Sequence, residues 1–293
     1  MKKLRNICYL LLATCSLLCS AQEVKVMSFN IRFDNPKDTG IVSWQSRRPA
    51  CEKMMNTIKP DVVGMQEPRG ETQISDIKKM MHGYAYYEIT DAPGCNINKA
   101  GRIMVFWNKK KFKATESGHF WLNDNPELPA PSFCTTDRNN IRAAIWVRLK
   151  AKESGRELFF VTTHTPYKKD SLDDVARAMC AEVIVNQMKQ IAGEDATVFV
   201  TGDLNATFTL GNKHRNSLLP FYKWMLDSRI MSPATDSKDS FNGFSNQVYA
   251  NPRVLDYIFY RNATPLRFQT LNEPIWGVPF VSDHYPVICN FEL

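Results

Sequence analysis

Eight polar side chains stand at the ends of short apolar, β-branched runs in this chain: Asn30, Glu67, His164, Asp203, Asn205, Asp256, Asp283 and His284. The plainest case is Val198-Phe199-Val200-Thr201-Gly202-Asp203-Leu204-Asn205, which reads as a buried strand opening into a polar turn. Sheets of α/β proteins place their chemistry at such strand ends. Each residue has an ordinary reading by itself. Asp and Asn favour turns, His164 fits a hydrogen-bonded core histidine, and Asp283-His284 fits a turn before Pro286. Eight together are harder to explain that way, because a carboxylate beside an apolar run is costly unless it is paired or bound to a metal. An excess of Asp, Glu and Asn with two His and no Cys is the oxygen-rich set that a hard cation such as Mg²⁺ takes. Zinc would ask for His or Cys clusters at helical spacing, and the sequence has none.

The elements that must position these residues alternate. Strands are expected at 24–30, 61–67, 103–107, 119–122, 142–149, 157–163, 198–203, 254–260 and 287–292. Helices are expected from about Ser46 to Ile58, over 71–81, over Leu172–Ile191 and over 217–226. In the third helix Leu172, Val175, Met179, Val183, Met188 and Ile191 form the expected buried stripe. Gly155 reads as the turn of a hairpin, and Lys109-Lys110-Lys111 as a solvated turn. Strand–helix alternation together with hairpins argues against a purely parallel sheet. No composition break marks a domain boundary, so one large α/β domain is expected over 22–293.

Residues 1–21 have the layout of a secretory signal peptide: a basic start at Lys2, Lys3 and Arg5, an apolar stretch from Ile7 to Leu18, and small residues before Gln22. A lipoprotein signal through Cys15 or Cys19 fits less well. No later run is long enough for a membrane span, so the expectation is an exported protein, periplasmic or secreted. Loss of Lys2, Lys3 and Arg5 lowers the formal net charge from +7 to +4, well short of a nucleic-acid-binding footprint. Five cysteines then remain (Cys51, Cys95, Cys134, Cys180, Cys289), with no metal or redox spacing.

The chain resembles the endonuclease/exonuclease/phosphatase superfamily, the deoxyribonuclease-I-like enzymes, and among them exported bacterial members. Six stretches carry the likeness in the family's order: Ser28-Phe29-Asn30-Ile31-Arg32, Gln66-Glu67, Thr163-His164, Thr201-Gly202-Asp203-Leu204-Asn205, Leu255-Asp256-Tyr257-Ile258 and Ser282-Asp283-His284-Tyr285-Pro286. A Phe-x-Gly-Phe loop, here Phe241-Asn242-Gly243-Phe244, adds to it. Two stretches depart from the pattern: Thr165-Pro166-Tyr167 after the histidine, and Ala92-Pro93-Gly94-Cys95 before the third strand. The resemblance implies a four-layer α/β sandwich, two mainly antiparallel β-sheets packed face to face with helices outside.

It also implies metal-dependent hydrolysis of a phosphoric ester by in-line attack of water. Glu67 would be the direct Mg²⁺ ligand (Mn²⁺ a substitute), with Asn30 and Asp283 completing or orienting the shell. Asp203 would aim or deprotonate the water, and Asn205 would hold a phosphoryl oxygen. His164 and His284 would flank the phosphate, with Asp256 fixing the His284 tautomer. Arg32, Arg142 and Tyr167 are candidates for substrate contact. Expected partners of a monomer are a small phosphorylated substrate, a lipid head group or a glycan phosphate. A nuclease acting on extracellular nucleic acid is an alternative, as is a non-catalytic binding module on the same fold. Phe241, Phe244, Trp276 and Phe280 would line a pocket or simply pack.

Overall fold

A computed structural model describes residues 22–89, 102–133, 140–169, 171–207, 215–248 and 253–293. The expected signal peptide, the stretch at 92–95, Cys95 and Cys134 lie outside the described residues. The chain runs β1 (Glu23–Asn30), α1 (Trp44–Ile58), β2 (Val62–Gln66), α2 (Glu71–Met80), β3 (Tyr84–Glu88), β4 (Ile103–Asn108), β5 (Phe112–Trp121), β6 (Ala143–Ala151), β7 (Glu157–His164), α3 (Ser171–Ala192), β8 (Val198–Asp203), α4 (Arg215–Trp224), β9 (Leu226–Asp227), α5 (Ser228–Met231), β10 (Asp256–Arg261), β11 (Thr264–Thr270) and β12 (Val287–Glu292). Ser43 caps α1 by accepting from the Ser46 backbone amide, so the helix starts at Trp44, two residues before the expected start near Ser46.

These strands form two six-stranded sheets, ordered β11-β12-β1-β2-β4-β3 and β5-β6-β7-β8-β10-β9. Each sheet has one parallel pair, β1 with β2 and β7 with β8, and is otherwise antiparallel. The parallel pairs are bridged by the two longest helices, α1 and α3, since a parallel crossover needs a long connection. Helices α1 and α2 cover the outer face of the first sheet through Trp44, Met54, Met55, Ile77 and Met80. Helices α3 and α4 cover the second through Ala181, Ile184, Met188, Leu218 and Phe221. The two inner faces meet over Val24, Val26, Val62, Phe160, Phe199, Ile258 and Tyr260. This is the four-layer sandwich that the resemblance implied. No described helix is long and apolar enough to cross a membrane.

Along each central strand the inward series changes character. Side chains alternate between faces with period two. Inward therefore run Val24, Val26, Ser28, Asn30; Val62, Gly64, Gln66; Leu158, Phe160, Thr162, His164; Phe199, Thr201, Asp203; and, in the reverse direction, Tyr260, Ile258, Asp256. The interior is apolar at one end, small and hydroxylic in the middle, and ionisable at the other end. In the middle layer the Gln66 amide donates to Thr162 Oγ1 at 2.9 Å across the sheets. The sheets come close enough there that a Cβ on Gly64 would lie 2.1 Å from Thr201 Oγ1 and 2.3 Å from Thr162 Oγ1.

One expectation fails in α3. Leu172 and Val175 are 47% and 49% exposed, and the buried face is Asp173, Ala176, Arg177, Cys180, Ala181, Ile184, Val185 and Met188. Of the expected stripe Met188 is buried and Met179, Val183 and Ile191 pack partly buried against the same core, so the buried face is rotated toward smaller residues rather than opposite. The triple lysine is an exposed turn as expected, although Lys111 also reaches the buried Asp61 at 2.8 Å.

The close approach at Gly64 generates a test. Gly64→Ala should lower stability by about 1–3 kcal/mol, the usual cost of overpacking, read as a lower midpoint in urea unfolding. Gly83→Ala, where the added methyl meets nothing within 4 Å, should stay within about 0.5 kcal/mol of the parent.

Candidate active site

The topology brings all eight strand-end residues to one edge of the sandwich. Asn30 ends β1 and Glu67 follows β2, with Asn30 opposite Gln66 in register. His164 ends β7 opposite Asp203, which ends β8, and Asp256 opens the antiparallel β10 opposite Asp203 again. Asp283 and His284 precede β12, where Ser282 Oγ donates to the Asn30 carbonyl at 2.7 Å.

Asp203 is the centre of the cluster and is 1% exposed. Its Oδ2 accepts from Asn30 Nδ2 at 3.0 Å and lies 3.4 Å from His164 Nε2 and 3.5 Å from His284 Nε2. Its Oδ1 accepts from the Asn205 amide at 3.0 Å. Burial pushes its pKa upward, against His284, which draws it down, and with Asp256, which adds to the rise. Burial alone would hold His284 neutral as well. Asp256 and Asp203, with the 2.8 Å hydrogen bond between His284 Nδ1 and Asp256 Oδ2, outweigh it and carry His284 well above its ordinary value. His164 goes the other way: burial, then the positive charges of Arg142, His284 and Arg69, hold it well below. The two imidazoles on either side of Asp203 thus have opposite protonation preferences, His164 toward the neutral form and His284 toward the charged one.

Asn30 Nδ2 also donates to Glu67 Oε1 at 3.2 Å while Oδ1 accepts from the Arg32 amide, so in this geometry Asn30 orients Glu67. Asn205 Nδ2 donates one proton to the Thr165 carbonyl at 3.1 Å, leaving its second N–H for another acceptor. Arg32 is taken up by Asp38 at 2.9 Å and Asp283 at 3.4 Å, which suits it to holding Asp283 rather than to meeting substrate. Tyr167 is half exposed, with the Arg142 guanidinium 6.0 Å from its ring. The departure at Thr165 has a local reason: its hydroxyl donates to the Leu204 carbonyl at 2.6 Å and locks the β7 and β8 ends together. Trp276 and Phe280 are packed in the interior at 7% and 6% exposure. Phe241 instead lies edge-on to His284, ring centres 4.9 Å apart, with the Arg253 guanidinium 4.7 Å from its ring centre.

Some contributors were invisible in the motifs. Arg47 is fully buried in α1 and donates to the carbonyls of Ile31, Arg32, Val42 and Val281, tying the loop after β1 to the segment before Asp283. Its signal was a charge at helical spacing between Trp44 and Cys51, on the face that is otherwise apolar. Ser240 Oγ accepts from the Leu255 and Asp256 amides and fixes the start of β10. Arg32, Glu67, Asn205 and Phe244 all have positive φ, between 49° and 65°, a conformation that non-glycine residues rarely adopt and that concentrates at functional sites.

A hard divalent cation fits this donor set. Glu67 and Asp283 repel one another: after burial, the Glu67 charge is the leading influence that raises Asp283. Oxygen donors with a like-charge conflict are what such an ion relieves. Asp203, Asp256 and His284 also offer ligand atoms within 4.8 Å of one another. Their approach is accounted for by the 2.8 Å hydrogen bond between His284 Nδ1 and Asp256 Oδ2, so that trio reads as a hydrogen-bonded cluster.

Residues 27–284 match the Endonuclease/Exonuclease/phosphatase family. An endonuclease/exonuclease/phosphatase from Bacteroides vulgatus superposes with a TM-score of 0.79 at 25% identity, covering 93% of this chain and 99% of that one. A mannosyl-6-phosphatase from Bacteroides thetaiotaomicron superposes with a TM-score of 0.77 at 23% identity, covering 92% and 99%. A probable RNA exonuclease from Schizosaccharomyces pombe is 24% identical over 198 residues, 64% of this chain and 37% of that protein. The chain spans about two fifths of the length of the curated relatives it matches.

The His284–Asp256 pair makes a pH-dependent contribution to stability. A histidine raised in the folded state stabilises fully below the unfolded value of about 6.5 and loses that contribution as pH rises through the folded value. Asp256→Asn should therefore cost about 1–3 kcal/mol near pH 6, and the difference from the parent should narrow as pH rises through the folded value. Unfolding midpoints across pH 6–9 would measure it.

Proposed function

The chain belongs to the endonuclease/exonuclease/phosphatase family, whose members hydrolyse phosphoester bonds, and we propose that it is an exported, Mg²⁺-dependent phosphoesterase. The observation that carries this is the convergence of Asn30, His164 and His284 on Asp203 Oδ2 at the mouth between the two sheets. A carboxylate held in that way is aimed, desolvated and a stronger base than a free one, which suits it to take a proton from water near neutral pH.

In the proposed reaction the water oxygen bonds to phosphorus and its proton passes to Asp203. The ester P–O bond breaks, and the departing alkoxide takes a proton from solvent. Neutral His164 presents an N–H to a phosphoryl oxygen through Nε2, and the free Asn205 N–H presents another. His284, kept charged by Asp256, opposes the negative charge that accumulates at phosphorus. Glu67 and Asp283, with Asn30 orienting Glu67, would hold the cation. When bound it relieves charge on the phosphoryl oxygens, and Mn²⁺ would substitute for Mg²⁺. The modest positive charge and the likeness to a sugar phosphatase support a small phosphorylated substrate, a lipid head group or a glycan phosphate over a nucleic acid. Export rests on residues 1–21; the first strand begins at Glu23, two residues past the expected cleavage point.

Purified protein assayed against sugar phosphates, inositol phosphates, sphingomyelin, nucleic acids and aryl phosphates should turn over at least one of the small substrates. EDTA should abolish the activity and Mg²⁺ restore it. Asp203→Asn should lower kcat by about 10²–10⁴. Activity that survives both treatments would overturn the mechanism. Protein recovered from the export fraction should begin at Gln22 by N-terminal sequencing.

A further inference from the structure

Among the described residues, two guanidinium groups near the site, those of Arg69 and Arg142, pair with no carboxylate. Arg142 is 7% exposed, and its Nε donates to Asn140 Oδ1 at 2.8 Å. Its two terminal nitrogens make no hydrogen bond, and it forms no ion pair, among the described residues. It precedes β6 where Ala144 pairs with Thr163, beside the end of β7 that carries His164. Glu67 and Asp203, one from each sheet, are the acids that act on it most, and its guanidinium lies 6.0 Å from the ring centre of Tyr167, three residues past His164. Arg69 lies two residues beyond Glu67, its guanidinium 4.2 Å from the Phe33 ring centre, and its Nε is buried without a hydrogen-bond partner. Both charges act on His164. Neighbouring arginines are already satisfied, Arg32 by Asp38 and Asp283 and Arg47 by four carbonyls. A cation withdrawn from water without a partner is costly, so its retention at a cleft points to an anion that arrives there.

We propose that Arg69 and Arg142 form a two-armed receptor for a terminal, dianionic phosphoryl group, making phosphate monoesters the preferred substrates over diesters. This rests on the phosphoesterase reading above. A monoester near neutral pH carries almost two negative charges on three terminal oxygens, and an arginine fork matches such oxygens in pairs. A diester has one charge, two such oxygens, and a second ester arm that would have to lie against the guanidiniums.

The test uses the full chain with Mg²⁺. kcat/KM is compared for 4-nitrophenyl phosphate and bis(4-nitrophenyl) phosphate, and inorganic phosphate binding is measured by calorimetry. The parent should favour the monoester at least tenfold. Arg142→Lys and Arg69→Met should each lower that ratio at least tenfold and weaken phosphate binding at least tenfold, with thermal unfolding confirming the fold. Should Arg142→Lys fail to fold, the half-buried Arg69→Met decides the matter alone. A parent that prefers the diester, or a ratio unchanged in the folded variants, overturns the proposal. If the parent cleaves neither ester, the phosphoesterase reading fails. Phosphate calorimetry then decides the receptor by itself: weakened binding in the variants supports it, and unchanged binding overturns it.

Discussion

The hydrogen bond from Asn30 Nδ2 to Asp203 Oδ2 joins the end of a strand in one sheet to the end of a strand in the other. Everything at the site depends on the two sheet edges being level at that point. The level is set deeper in the sandwich, where Gly64 lets Thr162 and Thr201 approach and Gln66 bridges to Thr162. Below that layer the inner faces are aliphatic and aromatic and exclude water. Above it they are ionisable. The graded interior serves two purposes: its lower half supplies hydrophobic stability, and its rigidity holds the polar upper half at hydrogen-bond distances.

Electrostatics follow from that burial. Asp203, Asp256, His164 and His284 are each 5% exposed or less, so each ionised form has to be supported by a neighbour. Asp256 supports charge on His284, whereas among the described residues His164 Nδ1 has no hydrogen-bond partner. Two histidines 3.4 and 3.5 Å from one carboxylate oxygen therefore acquire opposite protonation preferences. That difference lets one act as a neutral donor and the other as a standing positive charge.

The loops are held in place by side chain to backbone bonds rather than by regular structure. Arg47 gathers carbonyls from two loops, Ser240 captures two amides before β10, and Asn242 Nδ2 donates to the Ser282 carbonyl. Arg47 also donates to the Arg32 carbonyl and Asn242 Oδ1 accepts from the Phe244 backbone amide, so two residues with left-handed backbone conformations are tied down as well. A loop so constrained presents its side chains in one geometry, which suits reaction chemistry better than tight packing by itself would.

Much of this was legible in the amino-acid sequence. Apolar runs ending in Asn, Asp, Glu or His marked the strands and the residues at their ends, because a strand is a local pattern and a polar terminus is a local exception. The helical spacing of α1 and α2 was readable for the same reason. Other features were settled only in the tertiary structure. The buried face of α3 runs through Ala176, Cys180, Ala181, Ile184 and Met188 and leaves Leu172 and Val175 outside, a rotation that only packing against the sheet decided. The pairing of Arg32 with Asp38 and with Asp283, 251 positions away, is likewise a product of the tertiary structure. The two sheets, and the meeting of Asn30 with Asp203 across 173 positions of sequence, arise from pairing between distant strands. Local sequence determined which residues could do chemistry; only packing between sheets decided that they would do it together.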